Sequence, residues 1–443
     1  MERTYIKDLS THVGQEALIK GYIDIRRNQG KMVFFDFRDM TGKVQGVVLP
    51  GNTEALEVSK DTRPEWVVEV TGKVNKRPEK NIQAGKQNGD IELEVLSIKI
   101  LSKAKELPFE KDTELNLETY LDHLPLTLRS QKAKDIFTMQ ATLVEEYRQS
   151  LRRQSFTEFQ APALVGGDAE GGAAAFKVDY YYDQTAFLAT SPQFYKQIMV
   201  GPFERAFTIA KIFRGEKSAT TRHLSELTQM DFEMGFVKDH TDVMSVLENV
   251  IRDVVKVASE KHADIFARMN VPVPSLGEKF PVLTLREAQE IIEKNYGGKA
   301  IGEPDLEPEH EKQICEWALK EKGSDFVFIT HFPTKKRAFY TYADEKDPTL
   351  TKSFDLLFRG LEINSGSQRI HDYDELVEKM KGRGLDIEKF SFYLEAFKYG
   401  LPPHGGCSTG LERLTARMLN LGNVKEASAF PRDMNRIDKL LSQ

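Results

Sequence analysis

Apolar and polar residues alternate in short runs through the first hundred positions of the chain, which is the pattern of β-strands with one buried face. Turn-forming residues separate the runs, and a short helical stretch, TEALEVSK, lies between the third and the fourth. The predicted strands are ALIKGYIDI (17–25), KMVFFDFRD (31–39), KVQGVVL (43–49), WVVEVTGKV (66–74) and IELEVLSIKIL (91–101). This pattern predicts a small β-barrel of the OB type over residues 1–105, and the strand count alone leaves an SH3-like barrel or an Ig-like sandwich open.

The remainder of the chain mixes helical and strand-like periods. Residues 106–130 are typical of a connector, and a long amphipathic helix is predicted from Ser130, because apolar residues then recur every three or four positions. Further helices are predicted near 240–265, 284–295, 307–322, 373–398 and 408–421, and strands at 175–183, 186–190, 205–215, 227–237, 325–332, 337–343 and 353–363. Because the strands come in runs, residues 131–443 are predicted to form an α+β domain with a mainly antiparallel sheet flanked by helices.

The composition is that of a globular protein, with 40% hydrophobic and 29% charged residues in a chain of 443. No apolar run reaches the roughly 20 residues needed to span a bilayer, and the first residues lack the pattern of a secretion signal. The two cysteines, Cys315 and Cys407, are far apart and have no zinc-site spacing. These features predict a cytoplasmic protein.

The charge is unevenly distributed along the chain. The net charge is −6, yet residues 1–105 hold 18 Lys or Arg against 15 Asp or Glu, so the local excess is positive and the rest of the chain is acidic. A basic module on an acidic body suits the binding of one long polyanion, although ordinary surface variation accounts for a difference of this size equally well.

The first cluster of candidate chemistry is a charged loop between two predicted strands. It contains Arg214, Glu216, Arg222 and His223. An arginine held in this way can bind a phosphate, and a carboxylate can accept a hydrogen bond from an exocyclic amine. Taken alone, the loop is better explained as a hairpin with a solvated charged tip.

The second cluster begins within the predicted strand 353–363 and continues beyond it. It contains Asp355, Glu362, Ser365 and Arg369, on what the pattern predicts to be one strand that breaks at NSGS. The two acids are seven positions apart, so on one strand they face opposite sides, and a shared metal site requires a bulge or a neighbouring strand. The alternative is a pair of solvated acids.

The third cluster is a glycine-rich turn before an apolar helix. PPHGG precedes Gly410, Leu411, Glu412 and Arg413, and a glycine-rich approach to a helix start allows close contact with an anion. Such turns are common, so this cluster by itself is weak evidence. No Walker-A loop, GxGxxG after a strand or HExxH is present.

Together and in this order, the three clusters resemble the signature motifs of class II aminoacyl-tRNA synthetases. FTEFQAPAL (156–164) resembles motif 1, with Pro162 as its central proline, FRGE with TRHLSELTQMDFEM resembles motif 2, and GLERL resembles motif 3. Four further segments resemble the aspartyl-tRNA synthetase family in its shorter archaeal/eukaryotic form: EGGAAAF (170–176), SPQFYKQ (191–197), FDLLFRGLEINSGSQRIHD (354–372) and AFKYGLPPHGG (396–406). The resemblance covers nearly the whole chain.

The resemblance implies a reaction in which aspartate attacks ATP to form aspartyl-adenylate, and the aspartyl group then passes to a tRNA. Arg214 would bridge the aspartate carboxylate and the α-phosphate, and Glu216 would accept from the adenine amine. The remaining ATP-binding positions would be Arg222, His223, Leu224, Glu362, Gly410, Leu411, Glu412 and Arg413. Mg²⁺ would be bound by Glu362, Ser365 and Asp355, since it prefers oxygen ligands.

The choice of amino acid rests, by the same resemblance, on two cations. Lys196 and Arg369 would bind the side-chain carboxylate of aspartate, and the neutral amide of asparagine would leave them partly unpaired. Glu170 would hold the ammonium group, with Gln193, Arg214 and Ser365 also at the amino acid. An asparagine-specific relative lacks the lysine of SPQFYKQ, so Lys196 opposes that alternative. A relative that no longer charges tRNA is opposed by the presence of the motif arginines and acids.

The barrel would bind the tRNA anticodon by base stacking and hydrogen bonding. The matching positions are Arg27, Phe34, Gln45 and Asp90, while alternation predicts that Phe35 and Phe37 are core residues. The implied partners are tRNA-Asp and a second copy of the chain, joined through motif 1 as a homodimer. The pattern leaves charging of tRNA-Asn open, which would require an amidotransferase in the same pathway.

The sequence departs from the family pattern at three positions. Leu227 stands where a phenylalanine stacks on adenine in many relatives, and Cys407 with Ser408 replaces the usual phenylalanine and glycine of motif 3. Cys407 is predicted to be a small packing residue, because the reaction needs no nucleophile from the protein. The resemblance also implies that 240–325 is a family-variable insertion, to which the sequence assigns no role.

Overall fold

The computed structural model describes residues 1–110, 113–167, 175–217, 220–439 and 441. The chain forms two compact units, Met1–Leu115 and Asn116–Gln443. Each unit has hydrophobic core clusters of its own. Among the described residues, no helix combines the length and the apolar character that crossing a membrane demands.

The first unit is a closed five-stranded barrel in the order β1-β2-β3-β5-β4. Its strands are β1 (Glu16–Gln29), β2 (Met32–Arg38), β3 (Lys43–Val48), β4 (Val67–Lys76) and β5 (Ile91–Ser102). Helix α1 (Thr53–Ser59) lies between the third and fourth strands, and the side chain of Asn52 caps its N-terminus. The predicted barrel and its short helix are thereby confirmed.

The barrel interior is filled by one face of each strand. On β2, Phe35 and Phe37 are buried and their rings stack at 5.1 Å, whereas Phe34 and Asp36 lie on the outer face and are half-buried. The predicted core position of Phe35 and Phe37 is confirmed, because side chains two positions apart share a face of a strand.

The second unit is built from helices around a large sheet. Its helices are α2 (Leu117–Asp122), α3 (Leu124–Thr127), α4 (Gln131–Arg153), α5 (Gln193–Phe203), α6 (His240–Lys261), α7 (Ala263–Met269), α8 (Leu285–Tyr296), α9 (Pro308–Lys322), α10 (Tyr373–Gly382), α11 (Ser391–Lys398) and α12 (Leu411–Met418). Its strands are β6 (Thr157–Glu158), β7 (Leu164–Val165), β8 (Lys177–Tyr180), β9 (Gln184–Leu188), β10 (Arg205–Phe213), β11 (Glu226–Gly235), β12 (Val282–Thr284), β13 (Phe326–Thr330), β14 (Ser353–Phe358), β15 (Leu361–Gln368) and β16 (His404–Gly410).

Among the described residues, eight of these strands form one sheet in the order β12-β13-β14-β15-β16-β11-β10-β6. The inner pairs are antiparallel, and only the two edge pairs, β12 with β13 and β10 with β6, are parallel. The predicted α+β domain with a mainly antiparallel sheet is confirmed. A smaller sheet has the order β7-β9-β8.

Helix α4 packs one apolar face onto this sheet. Ser130 caps its N-terminus, and Ile136, Met139, Leu143 and Tyr147 recur at three- and four-residue spacing and are buried. The hydroxyl of Tyr147 donates to the backbone oxygen of Met230 on β11 at 2.9 Å. Helix α6 contributes its own apolar face to the same core cluster. The segment 240–325 is therefore built into the second unit rather than appended to it.

Residues 116–130 of the predicted connector form α2 and α3, whose Leu121 and Leu124 are buried in the second unit. Residues 337–343, which were predicted to be a strand, do not form one. These residues form an irregular segment with isolated bridges, such as Thr341 with Arg369. The aromatic residues of this segment, Phe339, Tyr340 and Tyr342, instead pack into a separate hydrophobic cluster.

The predicted helix 408–421 begins later than expected, at Leu411, because His404–Gly410 forms the central strand β16. Glycines have low strand propensity, so the sequence signal failed here. Close packing explains them: a Cβ on Gly406 would lie 2.1 Å from Oε2 of Glu233 and 2.2 Å from the backbone oxygen of Phe232. At Gly405 and Gly406, the neighbours of this strand therefore leave no room for a side chain.

Candidate active site

One cavity of about 540 Å³ in the second unit is bordered by the loop between β10 and β11, the strands β11, β15 and β16, and the segment 335–341. It is lined by most of the residues singled out from the sequence: Gln193, Lys196, Arg214, Glu216, Arg222, His223, Leu224, Glu362, Ser365, Arg369, Gly410, Glu412 and Arg413. Residues far apart in sequence are thus brought to one site, as the resemblance to the synthetase motifs predicts.

Two of the predicted residues are placed differently. Leu411 is buried in the hydrophobic core and does not line the cavity. Asp355 is buried behind it and reaches the site through Arg337. Glu170 lies outside the described residues, so its predicted contact with the substrate ammonium group stays a prediction.

Lys196 and Arg369 form a buried ionic cluster at the cavity wall. The ammonium group of Lys196, on α5, donates to Oδ2 of Asp231 at 2.9 Å and to the backbone oxygen of Cys407 at 3.1 Å. The guanidinium of Arg369 donates from Nε and Nη2 to the carboxylate of Glu233, at 2.8 and 3.2 Å. Each cation is therefore held in one orientation by an acid on β11.

Burial alone would raise the pKa of Glu233, but the charges of Arg369 and Lys196 outweigh it and hold that pKa below its usual value. Asp231 and Glu233 do not line the cavity, whereas both cations do. The sequence analysis missed these two acids as functional residues. Their signal was present, since acids two positions apart on a predicted buried strand must share a face.

The loop between β10 and β11 carries the other cations. The backbone nitrogen of Arg214 donates to the oxygen of Ser225 at 2.8 Å, which closes the loop at its base. Burial lowers the pKa of His223 below its usual value, and three surrounding arginines act in the same direction. A neutral histidine among fixed positive charges suits the binding of a polyphosphate.

Glu311, on α9, joins this loop to the strand opposite. Its carboxylate forms an ion pair with Arg222 and accepts a hydrogen bond from the backbone nitrogen of Glu362 at 3.0 Å. Burial raises the pKa of Glu311 to about 7, and the charge of Arg222 opposes the rise. Glu311 was not predicted as a functional residue, although its spacing from Ile314, Cys315 and Ala318 places it on the buried face of α9. Only the tertiary structure shows that it meets Arg222 and Glu362 there.

Asp355 and Glu362 lie on the two strands of a hairpin, β14 and β15, and not on one strand as predicted. Strand β15 also runs through NSGS without a break. Leu356 pairs with Asn364 and Leu357 with Glu362, so β15 carries one extra residue at this point. Such a bulge re-aims side chains. It brings Glu362 and Ser365 to the same cavity despite their odd spacing.

The oxygen atoms of this hairpin fit a hard cation. Burial raises the pKa of Asp355 to about 6, and its Oδ1 is buried without a hydrogen-bond partner among the described residues. No group of three or more His, Cys, Asp or Glu able to hold a metal was found in the described part of the chain. Two carboxylates and a hydroxyl nevertheless suffice for Mg²⁺, which takes its remaining ligands from water and substrate phosphates.

The family follows from comparison with known proteins. Residues 116–434 match the model of the tRNA synthetases class II (D, K and N), and residues 17–101 match that of the OB-fold nucleic acid binding domain. The chain belongs to the class II tRNA synthetases. It is therefore a ligase that uses ATP, an amino acid and a tRNA.

Curated relatives and solved structures agree with this assignment. The chain is 42% identical to the aspartate–tRNA(Asp/Asn) ligase of Thermus thermophilus, covering 98% of this chain and 99% of the relative. It is 37% identical to the aspartate–tRNA(Asp) ligase of Thermoplasma acidophilum, covering 99% and 100%. Its fold matches asparaginyl-tRNA synthetase from Pyrococcus horikoshii complexed with asparaginyl-adenylate, with a TM-score of 0.91, 29% identity and 99% of each chain covered.

Motif 3 of this synthetase supplies one cavity cation and one structural acid. Arg413 donates from Nη1 to the backbone oxygen of Glu362 at 3.0 Å and lies 3.5 Å from its carboxylate. Both oxygens of Glu412 accept from the backbone nitrogen of Thr228, at 3.0 and 3.1 Å. Glu412 therefore braces the start of α12 against β11, although part of it lines the cavity.

The departures from the family pattern are accommodated without distortion. Leu227 lines the cavity and packs against the core. Burial raises the pKa of Cys407 to about 12, so its thiol stays protonated and unreactive. The predicted packing role of Cys407 is confirmed. Ser408 lines the cavity, and its hydroxyl is buried without a hydrogen-bond partner among the described residues.

The barrel of the synthetase has a groove of about 580 Å³, lined by residues of β1, β2 and β3 and by the loop 83–89. Arg27 donates to both carboxylate oxygens of Asp36, at 3.1 and 2.9 Å, and Asp36 lies opposite Gln45 in the sheet register. Phe34 is directly opposite Arg27. Neither Phe34 nor Asp90 lines the groove, and Asp90 is exposed.

Glu311 offers a first prediction. Replacing Glu311 with alanine is expected to raise KM for ATP roughly tenfold, because hydrogen bonds to charged groups contribute about 1.5–3 kcal/mol and Glu311 makes them to Arg222 and Glu362. KM for aspartate should change less than about twofold, since Glu311 is not part of the Lys196 cluster. ATP–pyrophosphate exchange with each substrate varied in turn measures both constants.

The matched control is Glu309→Ala, which removes an exposed acid paired with Lys312 from the same helix turn. It should leave both constants unchanged. Equal increases in the two Michaelis constants of the Glu311 variant would show general damage to the site instead of a role at ATP.

Proposed function

We propose that this enzyme activates L-aspartate with ATP and transfers the aspartyl group to the 3′ end of tRNA-Asp. The observation that carries the proposal is the pair of buried cations, Lys196 and Arg369, which line the cavity while their acidic partners lie behind them. Lysine and arginine are hydrogen-bond donors only. A side-chain carboxylate can accept from both, whereas the amide nitrogen of asparagine would face donors and lose a bond. Relatives named aspartate–tRNA ligases support the same choice.

The proposed chemistry needs no nucleophile from the protein. The aspartate α-carboxylate attacks the α-phosphorus of ATP and pyrophosphate leaves. A ribose hydroxyl of the terminal adenosine of the tRNA then attacks the carbonyl carbon, and AMP leaves. Arg214 would bind the α-carboxylate and the α-phosphate, so that it orients the two reacting groups and neutralises charge that develops between them.

The other cavity residues would hold the nucleotide. Glu216 would accept from the adenine amine, while Arg222, His223 and Arg413 would face the phosphates. Glu362, Ser365 and Asp355 would bind Mg²⁺, which would supply positive charge at the ATP phosphates. The fixed cations would replace water as the hydrogen-bond donors to the phosphates.

The remaining assignments follow from the family resemblance. Residues 1–105 would bind the anticodon. Residues 131–443, together with α2 and α3 from the predicted connector 106–130, would form the catalytic domain. Motif 1 around Pro162 would form a homodimer interface. The reaction would take place in the cytoplasm, where its tRNA and ATP are found.

The decisive experiment is charging by the purified enzyme with ATP, Mg²⁺ and labelled aspartate or asparagine, on transcripts of tRNA-Asp and tRNA-Asn. Aspartate on tRNA-Asp is expected. Aspartate on both tRNAs would add a non-discriminating activity and imply an amidotransferase in the same pathway. Asparagine as the preferred substrate would favour the rival assignment suggested by the asparaginyl-tRNA synthetase fold match, and label on no tRNA would refute the proposal.

Phe34, on the outer face of β2, provides a prediction for anticodon binding by the barrel. Replacing Phe34 with alanine is expected to raise KM for tRNA at least about tenfold, because stacking of one base on an aromatic ring contributes roughly 1–3 kcal/mol. ATP–pyrophosphate exchange without tRNA should be unchanged. As a control, Leu96→Ala removes an exposed apolar side chain from β5 of the same barrel. A matching increase in that control would assign the effect to the barrel surface in general.

A further inference from the structure

Arg337 is a buried cation of the active site to which none of the roles above has been assigned. It belongs to the irregular segment between β13 and β14, and its guanidinium lies 3.8 Å from the ring centroid of Phe332. Nη2 donates to Oδ2 of Asp355 at 2.6 Å, and Nη1 donates to the hydroxyl of Ser365 at 2.9 Å. The side chain is only 17% exposed, and it lines the cavity.

These two contacts fall on two of the three groups proposed to bind Mg²⁺. A ligand oxygen lies about 2.0–2.1 Å from Mg²⁺ in a near-octahedral shell, which leaves no room for a guanidinium on the same face of Asp355 and Ser365. A guanidinium at these two groups and an ion bound to them would therefore compete for one position.

The local charges give the competition a direction. Asp355 and Glu362 bring two negative charges, and Arg337 and Arg413 each form an ion pair with one of them. ATP with its metal adds further phosphate charge beside the same residues, and a guanidinium released from Asp355 can bind phosphate oxygens in its planar fork. Lys335 and Lys336, which precede Arg337 on the same segment, also line the cavity.

We propose that Arg337 is an exchangeable counter-cation, which occupies the metal position of the nucleotide-free enzyme and moves to the ATP phosphates when ATP brings the metal. This inference rests on the proposed metal assignment of Asp355, Glu362 and Ser365. It makes tight metal binding dependent on nucleotide. The enzyme then binds the metal tightly together with ATP and only weakly in the absence of ATP.

The test is titration of the full-length enzyme with Mn²⁺ in place of Mg²⁺, with free Mn²⁺ followed by electron paramagnetic resonance. Without ATP, Arg337→Met is expected to bind one Mn²⁺ at least about tenfold more tightly than the wild type, because its competitor has been removed. With ATP, the same variant should bind Mn²⁺–ATP more weakly than the wild type. Damage to the fold would weaken both, so the opposite signs identify the exchange.

Two further variants localise the effect. Arg383→Met removes one positive charge from the lining of the same cavity, where Nη2 of Arg383 donates to the backbone oxygen of Thr334 and not to a hairpin acid. It should leave Mn²⁺ affinity unchanged. Adding Asp355→Asn to Arg337→Met should abolish the gained affinity. Arg337→Gln, which also removes the charge, should show the same gain in Mn²⁺ affinity and serves if the methionine variant does not fold.

Unchanged or weaker Mn²⁺ binding in folded Arg337→Met would overturn the proposal, and so would an equal gain in Arg383→Met. Aspartate-dependent ATP–pyrophosphate exchange by the wild type is measured separately. Failure there rejects the proposed function, whereas normal exchange with no gain in Mn²⁺ affinity rejects only the role of Arg337.

Discussion

Replacing Lys196 with alanine is expected to lower kcat/KM for aspartate about a thousandfold in ATP–pyrophosphate exchange, while KM for ATP changes less than about threefold. Removing one partner of a buried ion pair costs about 3–5 kcal/mol, because the remaining charge is left uncompensated. Here the loss leaves Asp231 and Glu233 facing the substrate carboxylate with only Arg369 between them. The penalty therefore falls on binding of the substrate anion.

The matched control is Lys211→Ala on β10, whose side chain is exposed and lies 3.7 Å from Glu226. It should retain wild-type constants. Thermal unfolding of both variants separates a binding defect from lost stability. If KM for ATP rises by as large a factor as kcat/KM for aspartate falls in a folded Lys196 variant, the assigned role of Lys196 is wrong.

Replacing Arg214 with alanine is expected to lower kcat for adenylate formation by about a thousandfold. A positioned donor that stabilises developing charge contributes roughly 10²–10³ to the rate, and Arg214 is proposed to contact both reacting groups. KM for each substrate should rise less steeply than kcat falls, because the lost contact is strongest in the transition state. Rapid-quench measurement of adenylate formation in single turnovers reports this step directly.

Lys217→Ala is the control for this prediction, since Lys217 is exposed three positions further along the same loop. Its removal takes one positive charge from the loop without changing the cavity lining. A comparable loss of rate in both variants would indicate a diffuse electrostatic effect of the loop, not a contact made by Arg214.

The architecture was predictable wherever a local pattern matched a local structure. Alternation over 31–39 predicted both the strand and the burial of Phe35 and Phe37. The spacing of Ile136, Met139 and Leu143 predicted helix α4. In these segments one face of the element is buried and the other is solvated, so the period of the sequence directly reports the structure.

The site was predictable to the extent that its residues lie in recognisable motifs. Lys196, Arg369, Glu362 and Arg413 were found in this way, and the structure brings them to one cavity. Asp231 and Glu233, the acids that pair with Lys196 and Arg369, were not predicted as functional residues. A motif identifies the residues expected to contact the substrate, whereas the ion pairs behind them depend on which segments lie side by side in the fold.

The sequence by itself determined the family, the division into two domains, the barrel and the long helices, because these depend on motif order and on the hydrophobic period. Tertiary structure alone decided that HGGCSTG is a central strand and that Asp355 and Glu362 share a hairpin with a bulge. It also decided that Glu311 and Arg337 reach the active site. Close packing and pairing of buried charges act between residues distant in sequence, so no local pattern reports them.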